Sequence, residues 1–412
     1  MEDRISSLPD EVISHILSFL PTKFAATTSI LSKRWHPLWL SVPTLNFDDK
    51  TFQNIESFLM FVSSALFSRD ITLPIQSFHL KCVNASKRRH SLDINAFLDA
   101  VVQRRVQNVR LRLTTRVNVP PSLFSCRTLV VLHLRKIKVE HLSKLDVDFP
   151  LLKTLSLSNI KFKRIDYIAV LLYGCPVLEE LRTKCVRVGS RDMTVPQEVI
   201  MRDYPTFPKL PYLIRMICWT NVQVLHGVLD SHCCSYPILY NLTYMEVILK
   251  HSDLKEEWVW LLERLDYFPN LRNLTIIEDN ENIEEIVCNW REPTSIPECL
   301  STKLRTCLIK QFTYNECGLQ FAEYILKNSK VLDTMSIKSA SFINENVKHQ
   351  ILVAEHQQAF NGKLVDIVVL VCAQLESMRN FNTILTVTVF TLWVFEETSW
   401  GLISQFQFLK SK

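Results

Sequence analysis

Hydrophobic and polar positions follow two different periods along this chain. Near the start, apolar residues recur every three or four positions, as in Val12, Ile13, Ile16 and Leu17, which is the spacing of one side of an α-helix. From about residue 106 the apolar residues instead follow the template L-x-x-L-x-L-x-x-I, whose alternation is typical of short strands. The pattern predicts an α/β protein with a helical N-terminal block and a longer, strand-rich body.

The helical block is divided by prolines. A first helix is predicted to begin near Pro9 and to end before Pro21, a second to begin near Thr22, and a third to carry Trp35 and stop at Pro37. Three helices of this size bury little surface among themselves. Their remaining apolar side chains must therefore contact either a partner protein or the rest of this chain.

The strand template repeats through the middle of the chain. It recurs at these groups of positions: Ile75, Phe78 and Leu80; Val106, Val109 and Leu111; Leu129, Leu132, Leu134 and Ile137; Leu152, Leu155, Leu157 and Ile160; Leu178, Leu181 and Val186; Leu242, Met245 and Val247; Leu271, Leu274 and Ile276. The two best-formed steps, from Val106 to Leu129 and from there to Leu152, are each 23 residues long. One unit of this kind cannot close a core, so neighbouring units must stack.

Stacking of such units predicts a leucine-rich-repeat solenoid over residues 70–289, a horseshoe with a parallel sheet on its concave face. The spacing is lost around residues 187–241, where we expect an irregular excursion or degenerate repeats. The alternative is a compact α/β domain whose strands are unrelated.

The last part of the chain contains one more repeat-like unit and an unusual end. A strand near 304–309, a helix near 317–328 and a strand near 332–338 are predicted from periodicity. Residues 361–412 form an atypical tail that contains an apolar run at 381–395. This run is shorter than the roughly 20 residues of a membrane span. A terminal strand pair, a membrane anchor and an unfolded end all remain open for it.

Three stretches of the chain resemble, in order, the parts of the plant F-box/leucine-rich-repeat/FBD family. Residues 8–13, 16–21 and 31–39 resemble an F-box, the repeats follow, and residues 290–337 resemble the FBD segment. The resemblance implies an F-box at 1–48, repeats at 70–289 and an FBD segment at 290–360.

In that family the F-box binds the Skp1 adaptor of a cullin-RING ubiquitin ligase. The family uses the Leu-Pro start, the apolar side of the first helix and the Arg-Trp pair of the third. Carried over to this sequence, the Skp1-binding residues are Leu8, Pro9, Ile13, Ile16, Leu17, Leu20, Pro21, Leu31, Arg34 and Trp35.

The resemblance implies a non-catalytic, substrate-recognition subunit of an SCF (Skp1-cullin-F-box) ligase, working in the cytoplasm, the nucleus or both. A repeat scaffold without a ligase connection is the alternative. In that case the helical block would cap the solenoid and bury Leu8, Pro9 and Trp35 against the first repeats. A docking block would leave these residues available.

Charge adds a hypothesis about the target protein. Arg110, Arg112, His133 and Arg135 occupy variable positions between the template residues of the early repeats, which favours an acidic target surface. The net charge of +5 is too small to indicate nucleic-acid binding. The basic run at 87–90 is interpreted as a solvated loop, with nuclear targeting or an acidic partner as alternatives.

Enzyme chemistry, cofactors and metals are not expected. Six glycines at scattered positions exclude both the dinucleotide fingerprint and a Walker loop. His226, His232 and the adjacent Cys233 and Cys234 lack the spacing of a zinc site. No secretory leader opens the chain, so its twelve cysteines are expected to be reduced core thiols rather than nucleophiles such as Cys307 or Cys317.

Overall fold

The computed structural model describes residues 5, 7–83, 94–142, 146–164, 166–188, 210–219, 238–250, 254–279, 290, 292–293, 295–313 and 315–340. The basic run 87–90, the His/Cys cluster at 226–234 and the tail 361–412 lie outside these residues, so their predictions stay untested. No helix among the described residues is long and apolar enough to cross a lipid bilayer.

The described residues alternate helices and strands. The helices are α1 (Asp10–Ser18), α2 (Thr22–Thr27), α3 (Trp35–Ser41), α4 (Ile55–Phe67), α5 (Ile94–Gln103), α6 (Pro121–Phe124), α7 (Asp166–Tyr173), α8 (Leu254–Arg264), α9 (Glu298–Thr302) and α10 (Glu316–Asn328), with 3₁₀ turns at Thr28–Ile30, Asp49–Thr51 and Leu265–Tyr267. The strands are β1 (Thr44–Asp48), β2 (Ser77–Cys82), β3 (Asn108–Asn118), β4 (Val131–Val139), β5 (Thr154–Ser158), β6 (Lys161–Phe162), β7 (Glu180–Lys184), β8 (Arg187–Val188), β9 (Arg215–Trp219), β10 (Tyr244–Lys250), β11 (Asn273–Asp279), β12 (Thr306–Phe312) and β13 (Thr334–Ser339).

The strands form one parallel sheet in nearly sequential order, β1-β2-β3-β4-β5-β7-β9-β10-β11-β12-β13. Each repeat pairs with the next one along the chain, and every pairing is parallel. The short strands β6 and β8 extend a second, smaller ladder beside β4. The predicted α/β class with a parallel sheet is confirmed.

The template residues form the core between the sheet and the helices. Leu132, Leu155 and Leu181 are aligned by the strand register, and all three are buried. Helix residues such as Phe58 of α4 and Phe321 of α10 belong to the same continuous cluster. Alternate strand residues point away from this core and form the opposite face of the sheet, which no helix of the described core cluster covers; we call it the open face.

Two strands lie where no regular repeat was predicted. β1 falls at the end of the range assigned to the F-box and pairs with β2, so the sheet begins before residue 48. β9 lies inside the region predicted to be irregular and pairs with both β7 and β10. That region therefore contributes a degenerate repeat to the sheet.

The third helix does not stop at Pro37, and this part of the prediction is wrong. α3 runs from Trp35 to Ser41, and Pro37 is its third residue. A proline is tolerated in the first turn because the N–H groups there have no partner within the helix. Leu31 instead ends a short 3₁₀ turn that precedes α3.

The FBD-like unit agrees with its prediction. The expected strand, helix and strand are confirmed as β12, α10 and β13, with boundaries shifted by at most three residues. β12 and β13 continue the same parallel sheet. This unit is thus one more repeat, with α10 packed on the buried face of the sheet.

A left-handed residue recurs at the same point of several repeats. Arg135, Ser158 and Lys184 are aligned in register on β4, β5 and β7. The residues that directly follow them, Lys136, Asn159 and Cys185, have positive φ angles of 62°, 54° and 49° respectively. Beyond this point β4 pairs with β6, and β6 with β8. The repeated bend therefore separates the main ladder from the smaller one.

Candidate protein interaction surfaces

The helices α1 to α3 enclose a small core of their own. This core consists of Ile13, Leu17, Ala25, Trp35, Leu38 and Val42, with Leu8 and Trp39 half-buried against it. Three of the residues expected to bind Skp1, namely Ile13, Leu17 and Trp35, are therefore inside the block in the free chain. Their direct effect is to hold α1 against α3.

Other residues expected to bind Skp1 are exposed. Pro9 is exposed, and the side chains of Ile16, Leu20 and Leu31 are 46%, 36% and 63% exposed. Pro21 is half-buried. These residues can contact a partner without unfolding the block.

Sequence reasoning missed part of this exposed apolar set. Val12, Phe19, Phe24 and Ile30 are also exposed. Val12 and Ile16 on α1 and Phe19, the helical residue directly after it, lie at i, i+4 and i+7, so they share one side. We call the set of exposed residues Val12, Ile16, Phe19, Leu20, Phe24, Ile30 and Leu31 the F-box surface. These seven exposed apolar residues lie within a stretch of twenty residues, and exposed apolar patches mark interaction sites.

Arg34 connects the start of α1 to the start of α3. Its Nε donates a hydrogen bond to Asp10 Oδ1 over 2.8 Å, and its Nη2 donates to the carbonyl oxygen of Leu8. Arg34 thus fixes the Leu8-Pro9 turn relative to α3, beside the F-box surface. This is a positioning role that the sequence alone did not reveal.

The helical block is attached to the repeats through both α2 and α3. On the α2 side, Thr22 Oγ1 accepts a hydrogen bond from the N–H of Asn46 on β1 at 2.7 Å, and Lys23 lies over the ring of Phe52. Trp39 packs against both the small core and the repeat core, and its ring stacks on Phe61 of α4 at a centroid distance of 6.5 Å. The buried guanidinium of Arg69 donates hydrogen bonds to the carbonyl oxygens of Trp39 and Val42. Burial and the neighbouring Arg104 lower the pKa of Arg69 to about 10, which still leaves it charged at neutral pH.

The open face of the sheet is basic along its first half. Arg112 on β3 lies directly across from Arg135 on β4, and Arg110 lies in register between His79 and His133. Arg110, Arg112, His133 and Arg135 are the four residues expected to bind a target, and the sheet register brings them together. Arg182 and Lys184 of β7 extend the same basic area.

The pKa values of His79 and His133 are lowered in this part of the sheet. Burial and the positive charges of Arg110 and Arg182 lower the pKa of His133 to about 4. Burial and Arg110 also lower the pKa of His79. Both imidazoles are therefore neutral at pH 7.

Few carboxylates balance these charges. Asp48 is paired with Lys81 at 2.6 Å, and Glu180 is paired with Arg182 at 2.7 Å and Arg215 at 3.4 Å. Within the part of the chain that the structure describes, no carboxylate contacts Arg110, Arg112 or Arg135. These three arginines are available to an external anion.

The second half of the sheet carries polar and apolar residues in the same rows. Glu246 on β10 lies in register between Ile217 on β9 and Thr275 on β11, and Thr275 lies across from Leu308 on β12. Tyr244, which stacks under Arg215 at 4.0 Å, lies at the start of this half.

The thiols offer no activated nucleophile among the described residues. Burial raises the pKa of Cys307 to about 12. Cys317 is disulfide-bonded, so the prediction that all twelve cysteines are reduced is wrong at this position. The prediction rested on the reducing conditions of the cytosol. It could not take account of the local geometry that brings two cysteine sulfurs within bonding distance. No cluster suited to a metal ion occurs among the residues described.

Comparison with protein families agrees with this arrangement. Residues 5–47 match the F-box domain, residues 94–236 match the LRR repeats of FBD-associated F-box protein At5g56370, and residues 292–337 match the FBD domain. The chain therefore contains, in this order, segments that match an F-box, leucine-rich repeats and an FBD domain.

Similar proteins from Arabidopsis thaliana have the same organisation by name. F-box/FBD/LRR-repeat protein At3g26920 is 29% identical, over 80% of this chain and 88% of its own. FBD-associated F-box protein At4g10400 is 28% identical, over 82% and 93%, and F-box/FBD/LRR-repeat protein At3g52680 is 27% identical, over 88% and 90%. The resemblance to the plant F-box/leucine-rich-repeat/FBD family is confirmed.

Proposed function

We propose that this protein is the substrate-recognition subunit of an SCF-type ubiquitin ligase. The helices α1 to α3 form a three-helix F-box that binds a Skp1-like adaptor and, through it, a cullin. The repeats form a horseshoe whose open sheet face holds a target protein. The chain brings the target close to the ubiquitin-transferring subunits and contributes no catalytic group. Such a subunit works in the cytoplasm or the nucleus.

The F-box surface carries this proposal. Seven apolar side chains of α1, α2 and the following 3₁₀ turn are exposed although the small core of the block is complete without them. Burying such a surface contributes about 25 cal/mol per Å² of apolar area. A Skp1-like partner is the occupant that the family match at residues 5–47 indicates.

The alternative scaffold function receives less support. It requires Leu8, Pro9 and Trp35 to be covered by the first repeats, but Pro9 is exposed and the other two pack within the block itself. The contact with the repeats is made by Thr22, Trp39 and Val42 instead.

Co-expression with a Skp1-like adaptor tests the proposal. The double variant Ile16→Asp, Leu31→Asp puts charge on the F-box surface without touching its core. We expect its affinity for the adaptor, measured by calorimetry or surface plasmon resonance, to fall at least tenfold, about 1.4 kcal/mol.

The matched control is Met60→Asp, Phe67→Asp, which places the same charges on exposed apolar residues of α4. This variant should bind the adaptor like the wild type. Equal losses in both variants, or no retention of the wild-type chain, would contradict the adaptor role and favour the scaffold function.

A further inference from the structure

The open face has a groove along β5, where short hydroxyl side chains lie between longer basic ones. In the strand register, Ser156 on β5 lies between His133 on β4 and Arg182 on β7. Two residues further along β5, Ser158 is paired with Arg135 of β4. Neighbouring strands are about 4.8 Å apart, so the side chains of β4 and β7 are attached roughly 10 Å apart. We call the space above Ser156 and Ser158, between these two strands, the β5 groove.

Positive charge collects around the β5 groove. Arg112 and Arg135 are directly opposite each other on β3 and β4, and like charges at such positions are destabilising. The pKa of His133 is lowered by burial and by the charges of Arg110 and Arg182, so the charge of Arg182 acts across the groove. Among the described residues, no carboxylate contacts Arg110, Arg112 or Arg135. An anion that enters the groove would relieve the repulsion between these cations.

The carboxylate nearest to Arg182 does not use all of its donors. Glu180 Oε1 lies 2.9 Å from Nε and 2.7 Å from Nη2 of Arg182, and 3.4 Å from Nε of Arg215. A guanidinium has five N–H donors, so Arg182 has others for a second anion. Glu180 is also held by Arg215, and it therefore remains paired when Arg182 turns toward the groove.

A phosphate group fits this arrangement better than a carboxylate. A phosphorylated serine or threonine carries a charge of about −1.5 to −2 at pH 7 and three strong acceptor oxygens. These oxygens point in different directions, so they can accept hydrogen bonds from both walls and from the serine hydroxyls at the same time. A carboxylate has a single charge and two oxygens in one plane.

The phosphates of a nucleic acid fit less well. Single-stranded nucleic acids are held by basic groups together with aromatic side chains on which the bases stack. The outward positions of β2 to β7 carry no Phe, Tyr or Trp. The net charge of +5 is also small for a nucleic-acid-binding chain of this length. A phosphate carried by a protein is therefore the better match.

We propose, on the basis of the adaptor role above, that the β5 groove binds a phosphorylated serine or threonine of the target protein. The phosphate accepts hydrogen bonds from Arg135 and Arg182 at the walls and from the two serine hydroxyls of the floor. Arg112, one strand further out on β3, pairs with an acidic residue beside the phosphorylated one. The chain then recognises its target only after a kinase has acted on it.

Phosphopeptide libraries test this inference on the full-length chain. The probes are three fluorescently labelled peptide libraries with randomised flanking positions, which differ only in a central phosphoserine, serine or glutamate. In anisotropy titrations the phosphoserine library should bind at least tenfold more tightly than the other two, because only phosphate reaches both walls and the floor. Inorganic phosphate should displace it from the groove.

Substitutions at the walls locate the site. Arg135→Gln, Arg182→Gln removes two wall charges, and we expect the preference for phosphoserine to fall at least tenfold. The control Lys163→Gln, Lys303→Gln removes the same charge at exposed residues away from the groove and should keep the preference of the wild type.

Substitutions at the floor test the hydroxyl groups. Ser156→Val, Ser158→Val removes both hydroxyls, whereas Ser156→Thr, Ser158→Thr adds similar volume and keeps them. The valine variant should bind the phosphoserine library at least fivefold more weakly, and the threonine variant should stay within about twofold of the wild type. Equal losses in both would contradict the placement of the phosphate over β5.

Other outcomes would overturn the inference as a whole. Equal binding of the three libraries would do so, as would an unchanged preference in Arg135→Gln, Arg182→Gln. The same holds if an RNA oligonucleotide or inositol hexakisphosphate binds the groove more tightly than the phosphoserine library and displaces it. Adaptor binding is measured on the same preparations. A chain that binds the adaptor without preferring phosphoserine would refute only this inference, and the reverse result would refute the ligase role alone.

Discussion

At the scale of single residues, Glu278 is the most constrained carboxylate among the described residues. It is fully buried on β11, and its Oε2 accepts hydrogen bonds from the backbone N–H (2.7 Å) and the hydroxyl (2.6 Å) of Thr313. Its Oε1 accepts from Nδ2 of Asn315 at 2.7 Å, while Asn315 Oδ1 accepts from the N–H of Gly318 and so caps α10. Glu278 thus links the repeats to the FBD unit.

The protonation of Glu278 should make stability depend on pH. Burial raises its pKa to about 7, although the hydrogen bonds from Thr313 and Asn315 act in the opposite direction. The folded state then binds more protons than the unfolded state between pH 4.5 and 7, so the contribution of Glu278 to stability falls as pH rises through this window. Glu278→Gln should remove this component, as measured by urea unfolding at several pH values.

The exposed neighbour Asp279 supplies the control for this measurement. Asp279→Asn removes a carboxylate from the same strand and should keep the pH dependence of the wild type. An unchanged dependence in Glu278→Gln would mean that Glu278 does not titrate in this range.

At the scale of elements, the left-handed bend after the strands limits which residues a repeat can carry. A left-handed conformation costs a residue with a side chain roughly 1–2 kcal/mol, and glycine avoids this cost. Lys136 and Cys185 accept it in this chain. The bend is needed because it redirects the backbone from the main ladder to the β4-β6-β8 ladder.

Replacing Lys136 by glycine should therefore stabilise the protein by up to about 1 kcal/mol, once the greater freedom of glycine in the unfolded chain is included. Lys138, two residues later on the same strand, does not have a positive φ, so Lys138→Gly should instead destabilise by roughly 0.5–1 kcal/mol. Denaturation midpoints compare the two variants. A loss of stability in both would argue that the bend at Lys136 carries no strain.

The strands were largely predictable from the sequence because apolar residues recur with the same spacing at the start of each repeat. Val42 before β1 and Leu45 and Phe47 within it have this spacing too, as do Leu213 before β9 and Met216 and Cys218 within it. Neither was recognised, because aromatic, sulfur-containing or isolated residues replace the usual run of leucines. The core accepts them because it selects for apolar volume rather than for leucine.

The orientation of the F-box helices was less predictable. On α1, Ile13 and Leu17 face the small core, whereas Val12 and Ile16 are exposed. Both pairs have the same helical spacing, so periodicity alone cannot decide which pair faces inward. The outcome depends on the position of α3, which Arg34 and Trp35 fix through contacts distant in sequence.

At the scale of the whole molecule, Arg69 controls how firmly the F-box is held to the repeats. Arg69→Ala would leave the buried carbonyl oxygens of Trp39 and Val42 without this donor, at a cost of about 1–3 kcal/mol. We expect faster hydrogen exchange in α1 to α3, with little change in β4 and β5. Arg127→Ala, which breaks an exposed ion pair with Asp148, is the control and should change neither.

Uniformly faster exchange in Arg69→Ala, extending to β4 and β5, would contradict this view. It would mean that the F-box and the repeats unfold together as one cooperative unit. Faster exchange confined to the helices would instead show that the helical block can open separately from the repeats.

Because β1 belongs at once to the F-box segment and to the sheet, every later strand is counted from the end that is proposed to bind the adaptor. Insertion or loss of one repeat between β1 and the strands proposed to hold a target would shift that target by about 4.8 Å. Among relatives with different repeat numbers, the distance between adaptor and target should thus change in discrete steps. Lysines within reach of ubiquitin transfer would then differ from one relative to the next even if the contacts with the target were identical.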